Sequence, residues 1–140
     1  MVRNKTTFYV LSFTWGILMS LVGGLVAAVL LIMGYKPAKY GYCWHFEIGE
    51  NWGGVCLGPV FLTNKNAPNS TKNHEHGHAL QNCIYGPVMV GISIASAVRY
   101  WYREFKYYRK GLVPPTDYDA VWFEADATER GTDFMMDFKY

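Results

Sequence analysis

Hydrophobic and polar positions divide the chain into five stretches. Thirty consecutive residues between Lys5 and Lys36 carry no charge. A helix over 8–33, rising 1.5 Å per residue, outruns the roughly 30 Å of bilayer hydrocarbon, so the pattern predicts a transmembrane helix. The run is too long, and lacks the small-residue cleavage site, for a signal peptide. Small residues recur every four positions along it, at Ser12, Gly16, Ser20, Gly24 and Ala28. That stripe predicts close approach of another helix, either of this chain or of a second copy in a homo-oligomer. In 41–63, two apolar runs (42–48 and 55–63) flank the turn signal "GEN" and predict a small β-hairpin. Gly58-Pro59 inside the second run marks an edge strand or a bulge.

The polar stretch "NKNAPNSTKN" reads as a loop, after which Thr71 or Asn73 caps a helix over 73–85, stopped at Gly86-Pro87. A sixteen-residue uncharged run, "CIYGPVMVGISIASAV", passes into "RYWYREFKYYRKG", where aromatics alternate with Arg and Lys. The mixture predicts a helix over 88–110 that leaves an apolar layer through the headgroups with its basic residues snorkelling. Asp119 as N-cap and Gly131 as C′ residue bracket a last helix, 119–131. One domain over 1–140 is expected: a mainly α membrane protein with a small β-hairpin, one transmembrane helix, a re-entrant or interfacial helical hairpin and a C-terminal helix.

Composition supports the membrane reading. Of 140 residues, 51% are hydrophobic and 17% charged, below the quarter usual in a soluble domain. Net charge is +2, with no Asp or Glu before Glu47 and no basic stripe of the kind that binds nucleic acid. Three cysteines make no disulfide framework; Cys43 and Cys56 form a pair only if their loop faces an oxidising side, and otherwise all three are buried thiols.

"KNHEHGHALQN" places three of the four histidines within five positions. On a helix, His74 and His78 share a face and can bind one ion, with Glu75 beside them to activate a water; this is an HExxH motif. His76 points elsewhere, Gly77 leaves room, and Gln81 falls on the ligand face as an outer-sphere partner. The last helix supplies Glu124 as third ligand and Thr128, one turn on, as a second outer-sphere partner, whereas Asp126 and Glu129 read as solvated. Two histidines and a glutamate, with the fourth position left to water, are the ligand set of a catalytic zinc site. Tyr118 and Tyr85 are candidate oxyanion donors by nearness in sequence alone.

"KNHEHGHALQN…GP", "RYWYRE" and "WFEADATERG" resemble an uncharacterised family of small bacterial membrane proteins, with an N-H-E-x-G-H-x-x-Q helix and a later Glu-x-x-Ala-[Asp/Thr]-x-x-Gly helix. The wider similarity is to gluzincin-type zinc metallopeptidases. The resemblance implies that His74, His78 and Glu124 hold Zn2+ and that Glu75 is the general base. In gluzincins an Asp often stands where this chain has Thr128, and the difference predicts a weaker outer sphere.

If the sixteen-residue run crossed the bilayer, His74 and Glu124 would lie on opposite sides and share no ion. The zinc reading therefore requires a re-entrant or interfacial hairpin. Arg3 and Lys5 favour a cytoplasmic N-terminus, while the basic run at 99–110 favours its own side being cytoplasmic; in a hairpin the two signals conflict, and the side of the site stays open. The expectation is a zinc metallopeptidase of the bacterial cytoplasmic membrane, hydrolysing a peptide or membrane-protein substrate. The alternative is a non-catalytic zinc-binding membrane protein that serves as an assembly partner.

Overall fold

The structure, a computed structural model, describes residues 4–50 and 52–138; Arg3 lies outside them. The chain is mainly helical with a small mixed sheet, in the order α1 (Lys5–Phe13), α2 (Ile17–Ile32), β1 (Ala38–Tyr40), β2 (Cys43–Glu47), β3 (Gly54–Leu57), β4 (Val60–Thr63), α3 (Asn69–Tyr85), α4 (Val88–Lys106) and α5 (Trp122–Asp137), with 3-10 turns at Tyr108–Lys110 and Tyr118–Ala120.

The expected single helix over 8–33 is broken. Helices α1 and α2 meet at 94°, and among the described residues no single helix is long and apolar enough to cross a membrane; the bent pair together meets the requirement by length and composition alone. The cause is local. Thr14 Oγ1 donates to Val10 O at 2.6 Å, and Ser20 Oγ donates to Ser12 O at 2.6 Å, so hydroxyls take up carbonyls that the helix would have used. Gly16 lies against Asn82, where an added Cβ would come within 2.5 Å of the amide nitrogen. The small-residue stripe thus splits. Ser12, Gly16 and Ser20 are buried within the chain, and Gly24 and Ala28 stay exposed.

The predicted hairpin is also rearranged. The sheet order is β1-β2-β4-β3, with β2 and β4 parallel and the other two pairs antiparallel. Gly58-Pro59 makes neither edge nor bulge. It is the two-residue turn joining β3 to β4, with Gly58 at φ +67°, which an L side chain rarely adopts. The parallel pairing needs a crossover between β2 and β4, and β3 lies within it; Gly49 and Glu50 of "GEN" therefore do not join two paired strands as a hairpin, and its Asn51 lies outside the described residues. Strand β4 is central and fully buried, and β3 is an edge.

Helix α3 starts at Asn69, four residues earlier than predicted, and neither Thr71 nor Asn73 caps it. Asn73 Oδ1 instead accepts from the Tyr40 hydroxyl at 2.5 Å, tying α3 to β1. Gly131 does not stop α5, which runs to Asp137, and Asp119 is not its cap; that position is Val121. Helix α4 ends at Lys106, with 108–110 as a separate turn. Both glycines, Gly77 on α3 and Gly131 on α5, serve helix contact. A Cβ on Gly77 would lie 1.8 Å from Ala127 O, and one on Gly131 1.7 Å from Asn73 O. The backbones touch, which sets the spacing of the two helices.

His76 turns away from the ligand face, as predicted. Its Nε2 accepts from Tyr42 N–H at 3.1 Å and its ring stacks on Phe134 at 4.4 Å, while burial lowers its pKa to about 4 and keeps it neutral. Cys43, Cys56 and Cys83 are free, buried and packed in one cluster with Phe8, Phe61 and Leu80. Gly77→Ala forces α3 and α5 apart and is expected to cost about 3 kcal/mol, at the upper end for overpacking. A calorimetric melting temperature unchanged from wild type would contradict the backbone contact.

Candidate metal centre

Helices α3 and α5 place His74, His78 and Glu124 around one point. His78 Nε2 lies 3.1 Å from His74 Nε2 and 2.9 Å from Glu124 Oε1, and His74 Nε2 lies 3.7 Å from that same oxygen. A tetrahedral zinc with ligands at about 2.0–2.1 Å holds its donor atoms about 3.3–3.4 Å apart. The three observed edges bracket that spacing.

Hydrogen bonding fixes which ring nitrogens carry protons. Gln81 Nε2 donates to Phe123 O and to Asp126 Oδ2, both at 2.8 Å, so its Oε1 faces His78 Nδ1 at 2.8 Å as an acceptor. The Thr128 hydroxyl donates to Asp119 Oδ2 at 2.7 Å, so its oxygen accepts from His74 Nδ1–H at 2.7 Å. Both Nδ1 atoms are therefore protonated, and in the neutral rings both Nε2 lone pairs point at the shared centre. Among the described residues Glu124 Oε1 is buried there with no other hydrogen-bond donor, while Ser96 Oγ donates to Oε2 at 3.3 Å. Three electron-pair donors converge on one spot, the arrangement a divalent cation satisfies.

The charges agree with that geometry. Burial works against the Glu124 carboxylate, but hydrogen bonding with His74 and His78 overcomes it and holds the group well below the usual carboxylate range. Burial also disfavours a charged His78, yet its hydrogen bond to Glu124 and the charge of Glu75 raise its pKa.

Glu75 is buried beside them, and that burial raises its carboxyl pKa against the pull of His78 and His74. Its side chain lies on Gly54 of the edge strand β3, where an added Cβ would come within 3.0 Å of Oε1. A buried carboxyl with a raised pKa beside a ligand set is the arrangement general-base chemistry uses.

Every predicted ligand and outer-sphere residue, His74, His78, Glu124, Gln81 and Thr128, thus meets at one place. The buried trio can hold a metal ion. Four residues play parts not anticipated. Asp119, expected as a helix cap, stands behind Thr128 and supplies the carboxylate that the Thr128 position itself lacks. Asp126, expected to be solvated, accepts from both Gln81 and, at 2.7 Å, Arg130 Nε. Its spacing of four from Arg130 was the one available signal. Ser96 and Tyr118 both bond Glu124, Tyr118 with its phenol pKa raised by burial and then by that carboxylate. Tyr85 instead packs edge-on against Trp122 at 6.0 Å. Glu129 is exposed, as expected.

Among known proteins, no family model, curated protein or solved structure matches the chain.

Asp119→Ala and Thr128→Val should each weaken Zn2+ binding by about tenfold to a hundredfold, the usual effect of losing an outer-sphere partner. Competition against a chelating dye measures it, and Thr128→Asp in the Asp119→Ala background should restore most of the loss. Wild-type affinity in both single variants would show that the relay does not orient His74.

Proposed function

We propose that the protein is a gluzincin-like zinc metallopeptidase anchored in the bacterial cytoplasmic membrane, with Glu75 as general base and a peptide or membrane-protein substrate. One observation carries this reading: two imidazole Nε2 atoms and one carboxylate oxygen converge within 3.7 Å of one another, with Glu75 on the same helix turn as His74 and His78. His74, His78 and Glu124 would hold the ion, which supplies Lewis acidity and a water acidified towards neutral pH.

The rest is done by side chains and backbone. Glu75 accepts a proton from the attacking water and returns it to the leaving amine. Its raised pKa suits both transfers. Ser96 holds Glu124 Oε2 and Tyr118 adds a second hydrogen bond to the carboxylate, so that Oε1 would be available to an ion. The strand register supports a place for the substrate. Asn64 N–H donates to Gly53 O at 3.0 Å, and Gly54 pairs with Thr63, so the N–H and C=O of Gly54 face away from β4. An extended peptide added along that edge would run past Glu75.

The membrane anchor rests on the bent α1–α2 pair. Leu18, Leu21, Leu25, Val29 and Ile32 of α2 are turned outward, while Ser12 and Ser20 are buried. Lipid contact explains apolar residues outside and hydroxyls inside. A homo-oligomer through the stripe has only Gly24 and Ala28 left to use, since Gly16 and Ser20 already pack within the chain.

A second reading, a non-catalytic zinc protein acting as an assembly partner, is favoured by the enclosure of the site: Glu75 is 6% and Glu124 0% exposed. The two readings separate on Glu75→Gln. In the peptidase, zinc-loaded wild type cleaves a peptide library read by mass spectrometry, and the variant keeps its zinc but slows by about a hundredfold or more. Stoichiometric zinc with no cleavage by wild type, or equal cleavage by both proteins, would favour the assembly partner.

A further inference from the structure

Helix α4 buries Met89 and Ile92 near its start, but from Ile94 onward it is built inside out for a helix in water. Ile94, Val98, Trp101, Tyr102 and Phe105 recur at the spacing of one helical face, and each is between 49% and 63% exposed. The opposite face turns its polar groups inward. Ser96 donates to Glu124 Oε2, Arg99 Nη2 to Asp117 O at 3.0 Å, and Arg103 Nη1 to Thr116 O at 2.8 Å, with Arg103 itself 6% exposed. Water would select the reverse arrangement.

The C-terminal end changes character. Lys106 lies 5.1 Å from the Tyr102 ring centroid and Arg109 4.3 Å from that of Phe105, and Lys110 shares a groove with Trp101 and Val98. Glu104 is the single acid between His76 and Thr116. Apolar side chains, then aromatics, then cations follow one another along the same face, in the order met on leaving a bilayer whose surface is anionic.

We infer that the outward face of α4 is seated in an anionic lipid leaflet, with Ile94 and Val98 among acyl chains, Trp101, Tyr102 and Phe105 at the interface, and Lys106, Arg109 and Lys110 on the headgroups. This rests on the membrane reading above and adds the depth of the site. Ser96, which bonds Glu124, stands five residues before Trp101, or about 7–8 Å along the axis towards the hydrocarbon. The metal centre is therefore held at or below the interface, and its substrate class is a polypeptide segment embedded in, or lying against, the membrane. A second copy is the poorer occupant. A two-fold pairing of this face either sets Lys106, Arg109 and Lys110 of the two copies together, in a parallel pair, or lays them over the apolar Ile94 end of the other copy, in an antiparallel one.

Nitroxide labels on cysteines introduced singly at Ile94, Val98, Lys110 and, on α2, Leu25 test this in the full chain. The protein is reconstituted in vesicles of phosphatidylcholine mixed with phosphatidylglycerol, and unsubstituted protein is the control for the buried native thiols. The readout is collisional relaxation by lipid-soluble oxygen against an aqueous nickel chelate. We expect an oxygen-to-nickel ratio several-fold higher at Ile94, Val98 and Leu25 than at Lys110. Replacing Lys106 and Lys110 by Glu should lower the ratio at Val98 in these vesicles and change it less in phosphatidylcholine alone. Nickel access at Ile94 and Val98 with oxygen access at Leu25 would overturn the seating of α4 while leaving the anchor. Nickel access at all three would overturn both. Protection from both reagents at Ile94 and Val98 would mean that protein, such as a second copy, covers the face, and would overturn the inference.

Discussion

Three electron-pair donors aimed at one point cannot rest there without a positive charge between them. The rest of the architecture is arranged around that constraint. Glycine at positions 77 and 131 lets the backbones of α3 and α5 touch, and this contact brings Glu124 within 3.7 Å of His74 and 2.9 Å of His78. A methyl group at either glycine would sit inside a carbonyl of the other helix. Spacing of the helices and spacing of the ligands are thus one quantity, which links two glycines to a site that can hold a metal ion.

The ligands are oriented by two separate chains of hydrogen bonds. One runs from Asp119 through Thr128 to His74; the other runs from Arg130 through Asp126 and Gln81 to His78. Each ends on an Nδ1–H and so commits the opposite nitrogen to the centre. Asp119 belongs to the segment between α4 and α5, whose carbonyls at Thr116 and Asp117 are held by Arg103 and Arg99. Helix α4 therefore supports the site twice, through those arginines and through Ser96, although it contributes no ligand.

The site was legible because it is written in short-range spacing. Four residues separate His74 from His78, and four separate Glu124 from Thr128, so helical geometry alone gives the shared faces. What linked the two helices was chemical completeness of a ligand set, which the sequence carries as residue types. Asp119 was missed because a carboxylate before a helix has a good local use as a cap, and it sits instead in a 3-10 turn with its actual partner nine residues away. The break in the first apolar run was missed for a related reason. Hydropathy counts Thr14, Ser12 and Ser20 as tolerated in a long helix, but says nothing of hydroxyls that redirect carbonyls. Strand pairing failed where loops allowed two answers. A Gly-Pro pair marks a turn as readily as an irregular strand, and the parallel partnership of β2 with β4 depends on long-range packing.

X-ray absorption at the zinc edge of metal-loaded protein reads the proposed centre itself, a mononuclear zinc held by two imidazole nitrogens and one carboxylate. Two imidazole nitrogens at about 2.0–2.1 Å are expected, with oxygen filling the remaining positions at about 2.0–2.2 Å. A sulfur shell at about 2.3 Å, or a zinc coordinated by water alone, would contradict it.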